Sequence, residues 1–173
     1  MKEQSTVLEV LMLRTFYPDK EKKAEYLPVL FDIFHENMQS FLIGDGCSWE
    51  KSQWLREVGA ALNKDSRELI LCTVDETPVG FLMYCISGAV LMVEELQISR
   101  DYRFSGVFKS MCRELSVQLP QNVQFIEAYA HRENLKSLSL MEKRGMSLVD
   151  PDDASTYIHM HGSISPLLRL FKR

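Results

Sequence analysis

Between Leu91 and Leu115 the chain changes its period, and that change constrains the fold more than any other segment. Leu91 to Ile98 is rich in β-formers, and Phe108, Met111, Cys112 and Leu115 then recur at three- and four-residue steps. A strand, a short turn and an amphipathic helix follow from that pattern. The first turn of the helix holds Ser105 and Gly106. A helix start leaves backbone N–H groups unpaired and presents the positive end of the helix dipole, so it can hold phosphate. Arg103, just upstream, adds a full positive charge with forked donors. Ser105 and Gly106 alone would be explained by helix capping. Arg103, the preceding strand and the Asn134–Met146 segment described below together favour an anion site. No Gly-x-Gly-x-x-Gly fingerprint and no Gly-Lys-Ser/Thr loop is present, which argues against the commoner nucleotide sites.

Around this unit the pattern reads as an alternation of helices and strands. Val7 to Thr15 suggests a first strand. Leu27, Leu30, Phe31, Phe34, Met38 and Phe41 share one helical face, with Pro28 expected near the start of that helix. Gly44-Asp-Gly46 breaks the run, and a second helix is expected over Trp49 to Leu62. Glu68 to Val74 and Val79 to Ser87 form a hairpin-like pair about the turn at Asp75 to Pro78. After the central unit, Pro120 ends the helix and Phe125 to His131 forms another strand. A helix follows from Asn134, with Lys143 and Arg144 at its negative end and Gly145 suited to a left-handed cap. Asp150 to Asp153 turns the chain into a last strand, Tyr157 to His161. No repeat, low-complexity segment or linker appears, so one domain over 1–173 is expected, and an α/β fold with it.

Composition sets limits on partners. A chain of 173 residues, 46% hydrophobic and 25% charged, can bury a real core. Its net charge of −4 argues against nucleic acid as a partner. No apolar run approaches the ~20 residues of a membrane span, and the basic stretch Leu167 to Arg173 is too short for more than packing on the domain. No signal-peptide pattern follows the amino terminus. Cys47, Cys72, Cys85 and Cys112 show no Cys-x-x-Cys pair or metal spacing. A reduced, cytoplasmic protein is expected. His159 and His161 would share one strand face, and without a third ligand nearby no metal site is assigned to them.

Two segments resemble a known family. Arg103-Phe104-Ser105-Gly106-Val107-Phe108 is similar to the Gln/Arg-x-x-Gly-x-Gly/Ala pyrophosphate loop of the GNAT superfamily of acetyl-CoA-dependent N-acetyltransferases. Phe108 stands where that family usually has Gly or Ala, and its register with Met111, Cys112 and Leu115 points it at the core. Downstream, Asn134-x-x-Ser137-x-x-Leu140-Met141-Glu142-Lys143-Arg144-Gly145-Met146 resembles the family's Asn-x-x-Ala-x-x-Leu-Tyr-Glu-Lys-x-Gly-Phe segment. The likeness covers about 69–162. It implies a mixed, mostly antiparallel sheet flanked by helices and splayed near its fourth and fifth strands. It also implies acetyl-CoA as co-substrate and a primary amine as acceptor; a homodimer would be in keeping, since dimers are common in the family.

The resemblance carries site residues with it. Leu96 and Ile98 would offer backbone contacts to the pantetheine arm, while Arg103, Phe104, Ser105, Gly106, Val107, Phe108 and Asn134 would hold the coenzyme. An attacking amine must be neutral, and an alkyl amine is almost wholly protonated at neutral pH. A carboxylate can take that proton. Glu94 is the candidate base, with Glu95 expected on the opposite side of the strand. Met141 replaces the family's Tyr and cannot donate a proton to the leaving thiolate. Tyr129, His131 and Ser139 are substitutes by proximity in sequence. Met141 and Phe108 together also keep open a non-catalytic acyl-CoA-binding or sensing module.

Overall fold

The computed structural model describes residues 12–42, 50–64, 66–149 and 155–169. One seven-stranded sheet runs through them, in the order β1-β2-β3-β4-β5-β7-β6. The strands are β1 (Leu13–Phe16), β2 (Arg67–Val74), β3 (Thr77–Ser87), β4 (Val90–Ile98), β5 (Phe125–His131), β6 (Met146–Leu148) and β7 (Tyr157–Ser163). Neighbours pair antiparallel except β4 and β5, which are parallel. A parallel pair needs a crossover, supplied here by helix α3 (Val107–Gln118). The hairpin between β2 and β3 turns on Asp75 and Glu76, both at positive φ, as a two-residue turn requires. The mostly antiparallel α/β sheet that the resemblance implies is the one observed.

Strand alternation divides the core in two. On one face, helices α1 (Lys23–Leu42) and α2 (Lys51–Leu62) bury Leu30, Phe31, Phe34 and Trp54 against Leu69, Leu71, Phe81 and Met83. On the other, α3 sets Val107, Met111, Cys112 and Leu115 against Ile70, Leu82, Leu91 and Met160. Each fully buried large apolar side chain contributes about 1.5–3 kcal/mol. Leu167, on the short α5 (Ser165–Arg169), closes the same core. This is the packing role expected of that segment. Helix α4 (Leu135–Lys143) differs: it contains no buried residue.

Several boundaries moved. Helix α1 begins at Lys23, so Pro28 lies in its second turn, deeper than expected. The missing N–H would have bonded the carbonyl of Ala24, one turn back. Of the first expected strand, only the end near Thr15 lies within the described residues. The glycine break at Gly44, the expected start of α2 at Trp49 and the turn at Asp150 to Asp153 fall outside them. No helix among the described residues is long and apolar enough to cross a membrane.

The sheet's far edge depends on a glycine. Gly162 on β7 pairs with Met146 on β6 and Ile126 on β5. A Cβ at Gly162 would lie 2.7 Å from the Gly145 oxygen and 2.9 Å from Met146 Cα. Backbone cannot give way there as a side chain can. Gly162→Ala should therefore destabilise the fold by about 1–3 kcal/mol, read as a lower urea midpoint with unchanged m-value. An unaltered midpoint would show that β6 moves freely against β7.

Candidate active site

The site begins where β4 and β5 part. Their pairing runs from Val90–Phe125 to Val93–Ala128 and stops, although β4 continues to Ile98 and β5 to His131. Beyond that point each strand has an edge without a strand partner, and a cleft of about 370 Å³ opens between them. Its walls include Phe34, Met38, Trp54 and Glu57 on the α1–α2 face, and Phe108, Cys112, Met141 and Arg144 on the α3–α4 face. The cleft therefore passes through the sheet.

The loop before α3 leads into Phe108, which lines the cleft, whereas Arg103, Phe104, Ser105, Gly106 and Val107 do not line it. Arg100 to Tyr102 form a single 3₁₀ turn, and Phe104 (φ 69°) and Gly106 (φ 92°) both take the left-handed conformation. Nothing would lie within 4 Å of a Cβ on Gly106, so the approach to its backbone is open. The first-turn amides of α3 have no intrahelical partners, as at any helix start. The Ser105 hydroxyl turns back to donate to the Tyr102 carbonyl. Phe104 is fully exposed, and Val107 is buried against Gly80. Phe108 packs on the α3 core and also forms cleft wall, so the core orientation expected for it holds without removing it from the site. Asn134 caps α4 by accepting the Ser137 N–H at 3.2 Å, and both residues line the cleft. Leu96 lines the cleft as well, whereas Ile98 presents its carbonyl to Asn37 Nδ2 at 3.0 Å.

The two adjacent carboxylates do not divide between the faces as strand alternation predicts. Register shifts at Met83/Tyr84, leaving Glu94 unpaired in a bulge while Glu95 pairs with Met83. Met83 belongs to the α1–α2 core. Glu94 meets Arg67, which alternation places on the side of Leu69 and Leu71, in that same core. Both carboxylates thus turn toward the α1–α2 face, and both line the cleft. A bulge re-aims side chains in this way.

Their environments set them apart. Arg67 Nε–H donates to both oxygens of Glu94, at 2.9 and 2.8 Å. Glu95 has no cationic partner; Gln97 Nε2 donates to it at 3.0 Å. Burial pushes the Glu95 carboxyl up to about 7, the Gln97 bond opposing and the nearby Glu94 charge assisting. Gln97 is itself held by Asn37 Nδ2, 2.9 Å from its Oε1, and Asn37 Oδ1 accepts from Arg103 Nη2. A chain of side-chain hydrogen bonds, Arg103–Asn37–Gln97–Glu95, joins the loop to the carboxylate. Arg100 pins the same loop to α1 by donating to the Glu36 carbonyl at 2.7 Å.

Sequence reasoning did not find Asn37, Gln97, Arg67 or Arg144. Asn37 carried a signal, as a polar residue between Phe34, Met38 and Phe41. Of the substitutes for the missing Tyr, Tyr129 and His131 line the cleft. His131 is buried, and its Nδ1 accepts the Glu133 N–H at 3.2 Å. Tyr129 stacks on His159 at 4.4 Å between ring centroids. Ser139 is half-buried and does not line the cleft. His159 Nε2 and His161 Nδ1 lie 3.3 and 3.1 Å from the two oxygens of Glu127. No group of three His, Cys, Asp or Glu able to hold a metal occurs among the described residues. Cys72, Cys85 and Cys112 are free thiols. Burial pushes Cys112 up to about 12, and the Arg144 charge pulls the other way.

No family model matches the sequence, and no curated protein matches it. Solved structures do match the fold. An acetyltransferase from Thermus thermophilus superposes with a TM-score of 0.70 at 17% identity, over 89% of this chain and 98% of that one. PaiA N-acetyltransferase from Thermoplasma acidophilum, determined in complex with coenzyme A, gives 0.64 at 16% identity over 88% and 99%. An acetyltransferase of the GNAT family from Staphylococcus aureus gives 0.67 at 12% identity over 88% and 99%. The parted β4–β5 pair, the helix start beside it and these superpositions together identify the fold of this chain as that of the GNAT acetyltransferases.

Proposed function

We propose that this protein transfers an acyl group, with acetyl as the simplest case, from acetyl-CoA to the primary amine of a small molecule or peptide. The observation that carries the reading is the cleft through the sheet. It runs from Phe108, in the first turn of α3, to a carboxyl of near-neutral proton affinity on the α1–α2 side. The α3 amides, the Gly106 backbone and Arg103 suit a pyrophosphate. Leu96 and the unpaired edge of β4 suit an amide-bearing arm, with Asn134 and Ser137 across from it.

Within this reading the base is Glu95 rather than Glu94. Arg67 engages both oxygens of Glu94, leaving it a structural partner of β2. A base is most effective when its proton affinity matches the working pH, and Glu95 at about 7 meets that condition. The amine nitrogen bonds to the acyl carbon, its proton passes to Glu95, and the C–S bond breaks with its electron pair on sulphur. Solvent protonates the departing thiolate, since Met141 offers no proton.

Coenzyme A should raise the melting temperature, because a ligand bound only to the native state stabilises it by about 2.7 kcal/mol at a hundredfold excess over Kd. Arg103→Ala should shrink that shift. Amine-dependent release of free thiol from acetyl-CoA then separates a transferase from a module that only binds. No thermal shift at millimolar coenzyme would remove the cofactor from the proposal.

Glu95→Gln should lower kcat by roughly 100- to 10,000-fold with little change in acetyl-CoA affinity. The deficit should narrow as pH rises and more of the amine is already neutral. Unchanged turnover across pH 6 to 9 would exclude Glu95 as the base.

The same residue should show itself in stability. Its native proton affinity lies above the ordinary 4.5, at about 7. Between those values the native state binds the extra proton, so stability falls as pH rises through the window and is level on either side. Glu95→Gln removes this dependence. Relative to the variant, the natural protein should lose about 3 kcal/mol between pH 4.5 and pH 7, measured by urea unfolding at both ends. Parallel pH profiles would show that Glu95 titrates as an ordinary surface carboxyl.

A further inference from the structure

The cleft does not stop where the strands part. Ile126 pairs with Leu91, on the paired side of the last β4–β5 contact at Val93 and Ala128, yet it still lines the cleft with Met146 and Leu167. Ile126, Met146 and Leu167 all belong to the α3-side core. On that face the cavity therefore continues past the gap into an apolar end.

The charged side chain lining that end, among the described residues, is Arg144. It caps the carboxyl end of α4, on the stripe Asn134, Ser137, Met141, Arg144 that lines the cleft from the loop inward. About 4.5 Å of helix rise separates Met141 from Arg144. Arg144 is half-buried, and its Nε is buried without a hydrogen-bond partner. It takes part in none of the ion pairs among the described residues. Its charge is felt by the buried Cys112 thiol across the cavity. An unmet charged donor among apolar walls is costly, and the complement of a guanidinium fork is a carboxylate.

Chemistry at the gap says which carboxylate that is. Attack on the thioester takes place where the cleft joins Glu95 on one face to the α3–α4 space on the other. The arm of the coenzyme comes from the loop end, so the space beyond the gap is left for the acyl group. Resting on the acyl-transfer reading above, we propose that the acyl donor is the coenzyme A thioester of a short dicarboxylic acid, of succinyl or glutaryl size, whose free carboxylate is received by Arg144. The transfer balances as before. Nitrogen bonds to the acyl carbon and gives its proton to Glu95, sulphur leaves with the C–S pair, and the distal carboxylate is unchanged in the amide product. The apolar walls suit the methylene chain between the two ends.

The test compares succinyl-CoA with butyryl-CoA, equal in chain length and differing by a carboxylate against a methyl. Calorimetric titration of the full chain should show succinyl-CoA binding roughly ten- to a hundredfold tighter, the range expected for a charge-assisted hydrogen bond. Arg144→Met should collapse that ratio, and Arg144→Lys, which keeps the charge without the fork, should retain part of it. Should Arg144→Met not fold, the ratio in the natural protein decides alone. Equal binding of the two thioesters overturns the proposal. So does a ratio that survives in Arg144→Met, or a loss in that variant equal for coenzyme A, butyryl-CoA and succinyl-CoA. The last outcome would assign the guanidinium to the sulphur or the arm. If coenzyme A itself does not bind, the acyl-transfer reading fails and takes this inference with it. Binding of coenzyme A and acetyl-CoA without a succinyl preference overturns the inference alone.

Discussion

Parting of two strands in mid-sheet is the constraint from which the rest of this structure follows. Backbone groups left without a ladder partner cost about 1–3 kcal/mol each when buried unmet, so β4 and β5 can separate only where water or a ligand reaches them. The structure accommodates this locally. Pairing is kept over Val90–Val93 and Phe125–Ala128, which anchors the crossover through α3, and is given up beyond. The loop at Arg103 to Gly106 starts just after β4 ends, so the helix start and the open strand edge are neighbours by connectivity. Asn37 and Gln97 then link loop and carboxylate by a continuous chain of side-chain hydrogen bonds. Such a chain holds geometry more firmly than separate pairs would.

A one-residue bulge accounts for the different fates of Glu94 and Glu95. Without it, alternation would send the two carboxylates to opposite faces. With it, both turn to the α1–α2 side, where the Arg67 guanidinium meets Glu94. The result is two identical side chains with different chemistry. Glu94 is an ion-paired partner that ties β4 to β2. Glu95 is half-buried and desolvated, has no cationic partner among the described residues and lies beside the negative Glu94, and burial and that charge raise its proton affinity.

Legibility followed the range of the interactions. Strand-to-helix periodicity placed β4, α3 and β5, because period and capping are local properties. Phe125 to His131 matched its strand to the residue. The Asn134 cap and the left-handed Gly145 were readable for the same reason. The bulge at Glu94 was not, since it depends on register against β3, which no local pattern in Val93 to Leu96 reveals. Nor were the pairings of Arg67 with Glu94 and of Asn37 with Gln97 and Arg103, which bring together residues 27, 60 and 66 positions apart. Arg144 illustrates the limit most sharply. Its sequence setting, between Lys143 and Gly145 at a helix end, is that of a solvated charge beside the helix dipole, yet it lines the cleft with a buried Nε.

Energetics explain how the proposed chemistry could forgo the acid that Met141 displaces. An alkyl amine with a pKa near 10.4 is neutral at pH 7 at a cost of about 4.6 kcal/mol, whereas a thiol with a pKa near 8.5 becomes thiolate at a cost of about 2 kcal/mol. The larger demand falls on the acceptor side, where the polar chain from Arg103 to Glu95 is built. The smaller demand falls on the α4 side, where a thioether in place of a phenol leaves a less polar wall. That exchange also shortens nothing along the cleft. A methionine fills irregular space without a fixed hydrogen bond, so the passage past it toward Arg144 stays apolar. In the proposed reading, the missing acid and the basic end of the acyl chamber are then two consequences of the same helix face.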